Sequence, residues 1–322
     1  MSEFDLINQF FKNTKVKRDD VLLGIGDDCA MLSPPPGKIL AVSTDTLISG
    51  VHFPLTTSAE DIAYKALAVN LSDLAAMGAE PAWVSLAISL PDSNTNWLDA
   101  FMRGFNELAE QFNVALIGGD TTQGALSITV NVTGFLDADT ALRRSNAKVG
   151  DSIFVTGNIG DASIALDVIL NEITTKKCFT DKHKNYCVDR LNRPYPQVLA
   201  GKLLTAFPIA AIDISDGLKA DLNHVCKASG VGAILDLEKI PVSEALLAFY
   251  GNEPDWQTIL SAGDDYELCF TCPEEQIIEM QSLIESNNIK ITCIGKIVSG
   301  TDVQCMYEDN LLNFEKTGYN HF

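Results

Sequence analysis

Hydrophobic positions recur along this chain in short runs that switch between a period near two and a period near 3.6, so strands and helices should interleave. In the first half, Val21–Leu23, Ile39–Val42, Trp83–Leu90, Val114–Ile117 and Leu126–Phe135 read as strands. Phe4, Leu6, Ile7, Phe10 and Phe11 predict a short amphipathic helix, and Trp97–Phe112 a longer one. In the second half Ser152–Thr156, Pro208–Ile214, Glu267–Thr271 and Ile291–Ile297 predict strands, with helices at Ser163–Leu170, after Gly217, and at Glu274–Asn287. The glycines of GNIGDA (157–162) suit a tight turn, while the polar run Thr174–Asn192 shows no clear period. Alternation on this scale predicts a mixed α/β (α+β) fold in two domains, 1–138 and 148–322, joined at Arg143, Arg144 and the turn AKVGD.

One predicted helix stands apart. SAEDIAYKALAVNLSDLAAMG (58–78) opens with Ser58 and Asp61 spaced as in a capping box and stops at Gly78. At about 100° per residue, Asp73 falls in line with Ile62, Ala66, Val69 and Met77, while Leu67, Leu71 and Leu74 cover the other side. The helix is therefore expected to be buried nearly all round. An ionised carboxylate there costs several kcal/mol unless it is compensated, and Lys65 lies two turns back, off that line. Asp73 needs a partner from another segment. A second helix, an arginine or a metal ion would each serve.

Composition narrows the choice. The 322 residues carry 43 acidic and 23 basic side chains, a formal charge of −20. That balance argues against nucleic acid and against an anionic membrane surface, both of which need a basic face. The first twenty residues are too polar for a signal peptide, and no apolar run has the length of a membrane span. The eight cysteines form no small-domain framework and read as reduced, which points to the cytoplasm. Cys269 and Cys272 sit in a predicted strand that aims them at opposite faces, so core thiols are expected there.

Asp27, Asp28, Asp45, Asp120, Asp213 and Asp216 each follow a hydrophobic run, where a strand end would hold the carboxylate at a rim. Two charges about 4 Å apart repel by about 4 kcal/mol at an effective dielectric of about 20, so convergence would require cations. Carboxylates with the hydroxyls of Ser43 and Thr44, and no histidine or cysteine among them, suit Mg²⁺ rather than zinc. Magnesium held this way shares its shell with phosphates, which points to nucleotide chemistry. Yet the chain contains no GxxxxGK[ST], no dinucleotide fingerprint and no protein-kinase HRD or DFG motif. Taken singly, each aspartate fits turn capping as well.

GIGDDCA (24–30), STDTLISGVHF (43–53), DIAYKALAVNLSDLAAMGAEPAW (61–83), GGDTT (118–122), DISDGL (213–218) and GDDYELCF (263–270) together resemble the motifs of bacterial thiamine-monophosphate kinase, in order and over nearly the whole chain. That family belongs to the superfamily of aminoimidazole ribonucleotide synthetase, selenophosphate synthetase and a hydrogenase-maturation protein. The resemblance implies a phosphotransferase with a phosphate group as acceptor, moving the γ-phosphoryl of ATP onto thiamine monophosphate. It implies that Asp28, Ser43, Thr44, Asp45, Asp73, Asp120, Asp213 and Asp216 bind several Mg²⁺ ions. Gly119, Asp120, Arg144 and Ser215 would contact ATP, and His52, Asp264 and Tyr319 the thiamine phosphate. It also implies a homodimer whose N-terminal sheets join across the two-fold axis. The family reads GEDYE where this chain has Gly263-Asp264-Asp265-Tyr266-Glu267, a shorter acid at 264. Because a phosphate acceptor is already ionised, transfer needs no general base, and direct in-line transfer without a catalytic side chain is expected.

Overall fold

Which face each strand buries decides where its polar residues go, and both units of this chain are built around one sheet. The computed structural model describes residues 3–12, 14–170, 178–251, 253–315 and 318–319. Contacts divide the chain into residues 1–74 with 79–139, and residues 75–78 with 140–322.

In the first unit α1 (Glu3–Leu6) continues into a π-helical turn at Ile7–Phe11. There follow β1 (Val21–Leu23), β2 (Met31–Leu32), β3 (Ile39–Ile48), α2 (Ala59–Ala76), β4 (Glu80–Leu90), α3 (Thr95–Gln111), β5 (Ala115–Gln123) and β6 (Ser127–Leu136). The main sheet has the order β3-β6-β4-β5. Its β4–β5 pair is parallel and is joined through α3, while the other neighbours are antiparallel. β1 and β2 form a separate ribbon. Asp45 and Asp120, expected beyond strand ends, lie inside β3 and β5, because hydrogen-bonded pairing carries both strands on past their apolar runs.

Helix α2 is buried on both sides: Ile62, Ala66 and Val69 on one, Leu67, Leu71 and Leu74 on the other. Three fully buried leucines contribute about 1.5–3 kcal/mol each, against about 1 kcal/mol for a cap, so packing rather than propensity holds this helix. Burial is incomplete on the Asp73 line, where Asp73 is half-buried and Met77 is exposed. Helix α3 crosses α2 so closely that a Cβ on Gly104 would lie 2.0 Å from the Glu60 carbonyl oxygen. No other residue fits there.

The second unit contains β7 (Ser152–Thr156), α4 (Asp161–Ile169), α5 (Asp181–Asn192), α6 (Val198–Leu204), β8 (Ala211–Asp213), α7 (Leu218–Ser229) and β9 (Gly232–Asp236). It continues with α8 (Glu244–Tyr250), α9 (Trp256–Ser261), β10 (Leu268–Cys272), α10 (Ile277–Ser286), β11 (Ile291–Val298), β12 (Val303–Tyr307) and β13 (Asn310–Leu312). Its sheet runs β13-β12-β9-β11-β7-β10-β8, antiparallel except for β12–β9. Most of the polar run 174–192 that lacked a period is helix α5, capped by Thr180 and His183. Its first residues, 174–177, lie outside the described residues, as do His321 and Phe322 of the aromatic tail. Cys269 and Cys272 are both buried in β10, and all eight cysteines are free. Among the described residues no helix is long and apolar enough to cross a membrane.

Arg18, Asp20 and Trp83 pin the segment before β1 to the sheet. Asp20 accepts from Arg18 Nη2 at 2.7 Å and from the Trp83 indole at 2.9 Å. The Arg18 guanidinium, helped by Trp83, holds the Asp20 carboxyl below the usual carboxylate range. A lowered pKa contributes stability above the unfolded value and loses it as pH falls through the folded one. Asp20→Ala should therefore cost about 1.5–3 kcal/mol at neutral pH by urea unfolding. The difference from wild type should shrink as the pH drops below the carboxylate range.

Candidate active site

In the second unit, β8 delivers the motif DISDGL to a turn. Asp213 is buried at the end of the strand, and Ser215 and Asp216 follow half-buried. The backbone N–H groups of Ser215 and Asp216 both donate to Asp221 Oδ2, at 3.0 and 3.1 Å. Asp221 sits in the first turn of α7, so its carboxylate caps the turn from inside. Burial pushes that carboxyl up to about 7, and the two donated hydrogen bonds and Arg144 act in the opposite sense. The Arg144 carbonyl accepts from Ser229 Oγ on α7 at 2.8 Å, which fixes the arginine backbone beside the same helix.

Two further segments close on this turn. The Asp264 N–H donates to the Ser215 carbonyl at 2.9 Å, and the Tyr266 N–H to Ile214 at 2.8 Å. The Tyr319 N–H donates to the Asp216 carbonyl at 3.0 Å. The structure thus gathers Asp213, Ser215, Asp216, Asp264 and Tyr319 around one turn, with Arg144 in a short helical turn (Arg144–Asn146) beside α7. Asp264 and Tyr266 have φ of 62° and 50°, a left-handed conformation that costs a non-glycine residue free energy and marks a constrained loop.

In the first unit the acids fall into two sets. On β3, odd residues from Ala41 to Leu47 turn inward and even ones outward. Ser43 Oγ donates to Asp73 Oδ2 on α2. The Asp45 N–H donates to Asn70 Oδ1 on the same helix at 3.1 Å. His52 lies just beyond β3, where its Nδ1 accepts from the Ile48 N–H at 3.0 Å, which leaves its proton on Nε2. The buried Lys65 donates to the His52 carbonyl at 3.2 Å.

The second set lines a cavity of about 670 Å³ between the GIGDD loop, the start of β5 and the first helical turns. Asp27, Asp28, Gly118, Gly119 and Asp120 face it, together with Lys12. A Cβ on Gly119 would lie 1.8 Å from the Leu86 carbonyl oxygen, so only glycine lets β5 approach β4 here. By register, Asp120 pairs with Ala87, Ala87 with Thr129, and Thr129 with Thr46. Asp120 therefore shares the outward face with Thr44 and Thr46, opposite to Ser43 and Asp45. Thr44 Oγ1 accepts from Asn131 Nδ2 at 2.5 Å on that outer face, away from Asp73. Three strand spacings separate Asp45 from the row of Gly119 and Asp120, about 14 Å across the sheet.

Each set presents oxygen donors only, from carboxylates and a hydroxyl, which suits a hard cation. Among the described residues, no three histidine, cysteine, aspartate or glutamate side chains stand close enough to hold one ion. Sets of one or two carboxylates fit Mg²⁺, which completes its shell with water and phosphate.

Family models of AIR synthase related proteins match the chain twice, the N-terminal domain at residues 26–136 and the C-terminal domain at 148–308. The thiamine-monophosphate kinase of Salmonella typhimurium is 44% identical over 99% of this chain and 98% of its own. The chain belongs to the thiamine-monophosphate kinase family. A solved thiamine-monophosphate kinase from Stenotrophomonas maltophilia superposes with a TM-score of 0.87 at 45% identity, covering 97% of this chain and 98% of that one. AaThiL, solved in complex with AMPPCP and TMP, is 28% identical with a TM-score of 0.78, covering 99% of this chain and 96% of that one.

The reading of the residues missed Asn70 and Asp221, which hold the backbone of Asp45 and of Ser215 and Asp216. Asn70 was open to the argument that picked out Asp73, being a polar residue in an almost wholly apolar helix. Asp221 had a weaker signal, an acid five residues after Asp216 in a turn rich in backbone donors. Asp221→Ala should release the Ser215 and Asp216 amides and lower stability by about 1–3 kcal/mol, read as a fall in melting temperature. Asp221→Asn, which keeps one acceptor oxygen, should lose less.

Proposed function

We propose that this chain transfers the γ-phosphoryl group of ATP to thiamine monophosphate, giving thiamine diphosphate and ADP, as a step of thiamine diphosphate biosynthesis in the cytoplasm. The observation that carries this reading is full-length similarity to thiamine-monophosphate kinases, joined to oxygen-only donor sets at the family's motif positions. Asp28, Ser43, Thr44, Asp45, Asp73, Asp120, Asp213 and Asp216 are the positions that would hold Mg²⁺. Asp45, Ser43 and Asp73 would do so from one side of the sheet, Asp28 and Asp120 from the other, with Thr44 free to contribute only through its backbone or its outward hydroxyl. When bound, the metal neutralises phosphate charge and favours in-line approach of two anions.

The protein's own groups do the rest by positioning. Gly119 and Asp120 approach the nucleotide from the β5 edge, and Arg144 and Ser215 bind its phosphates. His52, Asp264 and Tyr319 orient the thiamine phosphate. No side chain needs to take a proton, since the acceptor phosphate is already ionised, and transfer is direct, without a phosphoenzyme.

Separation of Asp45 from Asp120 within one chain supports a homodimer. Leu40, Val42 and Ile48 leave the outer face of β3 exposed, Val42 by 60%. An apolar stripe of that kind on a sheet edge favours burial against a second copy. Joining the two sheets would cover it and offer each donor set a complement from the partner.

Purified protein with ATP, Mg²⁺ and thiamine monophosphate should form ADP and thiamine diphosphate in equal amounts, with neither formed when the acceptor is omitted. Phosphate release without ATP, or a covalently phosphorylated protein trapped without acceptor, would overturn the reading. Chelation of divalent ions should abolish turnover and their return restore it. Asp73→Asn should lower kcat about a thousandfold, or about 4 kcal/mol of barrier, with an unchanged melting curve. Substantial turnover by that variant would contradict a role in holding the metal.

A further inference from the structure

GNIGDA has no part in the reaction proposed above, and neither does helix α5. The structure brings them together with the GDDYE loop around one arginine. Arg190 Nη2 donates to Glu267 Oε1 at 2.9 Å and to the Asp265 carbonyl at 3.2 Å, and its Nε lies 4.0 Å from Asp161 Oδ2. The three acids are almost wholly shielded from water, with Asp161 0%, Asp265 2% and Glu267 2% exposed.

Every acid in the cluster is tied down from a second direction. Glu267 Oε2 accepts from Thr156 Oγ1 at 2.6 Å and from Gln197 Nε2 at 2.8 Å. Asp265 accepts from the Gly160 N–H at 2.9 and 3.1 Å through its two oxygens. Asp161 accepts from Tyr186 at 2.9 Å and from Ser243. Gly157 adopts φ 57°, and a Cβ there would lie 2.1 Å from Glu267 Oε1, so the turn leaves room for the acid only as glycine.

Stability alone is a poor account of this arrangement. Three buried acids share one arginine, burial pushes all three carboxyls up, and a buried ion pair often stabilises no more than apolar packing of the same volume. What the arginine does grip is specific. Its two short contacts fall on residues 265 and 267, on either side of Tyr266 and next to Asp264, the residues forced into the left-handed region.

We infer that Arg190 is a positioning residue: held by Asp161 and Glu267, it clamps the 263–267 loop so that Asp264 is presented to the thiamine phosphate beside Ser215 and Asp216. The inference rests on the kinase reading and on Asp264 touching the acceptor.

Steady-state kinetics of Arg190→Lys, Asp264→Ala and the double variant test it. Lysine keeps the charge, but its single nitrogen on a flexible stem cannot hold the Asp265 and Glu267 oxygens from a position fixed by a second nitrogen facing Asp161. Arg190→Lys should raise KM for thiamine monophosphate about tenfold, while KM for ATP stays within about twofold. A merely structural arginine would instead lower the melting temperature and the active fraction, leaving both KM values in place; that result overturns the inference. Adding Arg190→Lys to Asp264→Ala should raise KM no further, and independent, multiplying effects would overturn it too. If Arg190→Lys does not fold, Gln197→Ala, which removes a donor from Glu267, should give the same pattern against Asp264→Ala. An unchanged KM in Asp264→Ala removes the contact on which the inference stands. Absence of ADP from wild-type enzyme is a separate result, because it sinks the kinase reading itself.

Discussion

Successive residues of an extended strand point to opposite faces, and that rule governs where this chain keeps its acids. On β3, Ser43 and Asp45 turn toward α2 while Thr44 and Thr46 turn away. The hydrogen bond between Ser43 and Asp73 makes the inner set possible, since it gives a carboxylate a partner inside a helix otherwise packed with leucine and alanine. The bond also ties the register of the edge strand to the position of the helix. The outer set depends on different backbone, the glycines of GIGDD and GGD, and reaches its cavity without touching α2.

The second unit reaches a similar end by turn chemistry. Ser215, Asp216, Asp264 and Tyr319 are brought together by main-chain hydrogen bonds. Asp221 holds two amides from within, and the constrained loop at 264–266 closes the turn from the other side. Placement here comes largely from backbone, with Asp221 and the Arg190 cluster as the side-chain contributions.

Much of this was legible in the sequence. Helices α2 and α3 and strands β4 and β6 carry strong periods, long runs or clear stops, and each lies within a few residues of its expected range, whereas β3 starts where expected but runs on to Ile48. Helix α5 was not readable because its outer face is charged and its buried residues, Cys187, Leu191 and Asn192, are few. Strands β9, β12 and β13 are short, and pairing with neighbours rather than intrinsic pattern makes them strands. The aspartates were found as a set, but placing them at strand ends was wrong for Asp45 and Asp120. A hydrophobic run marks where a strand is buried, whereas hydrogen bonding decides where it stops. Strand alternation could have told Thr44 from Ser43 at the outset; the motif, read as a block, concealed it. Asp213 and Asp216 belonged to the set read from the residues, whereas Ser215, Asp264 and Tyr319 came from family resemblance, since no periodic signal links segments so far apart.

Gly104 shows how far the constraints on such a site extend. It lies on α3, away from every carboxylate discussed, yet its missing side chain is what lets that helix lie against the Glu60 carbonyl at the start of α2. A single methyl group there would have to push aside α2, the helix that carries Asp73. Substitution at this remote position is thereby restricted for reasons of shape alone.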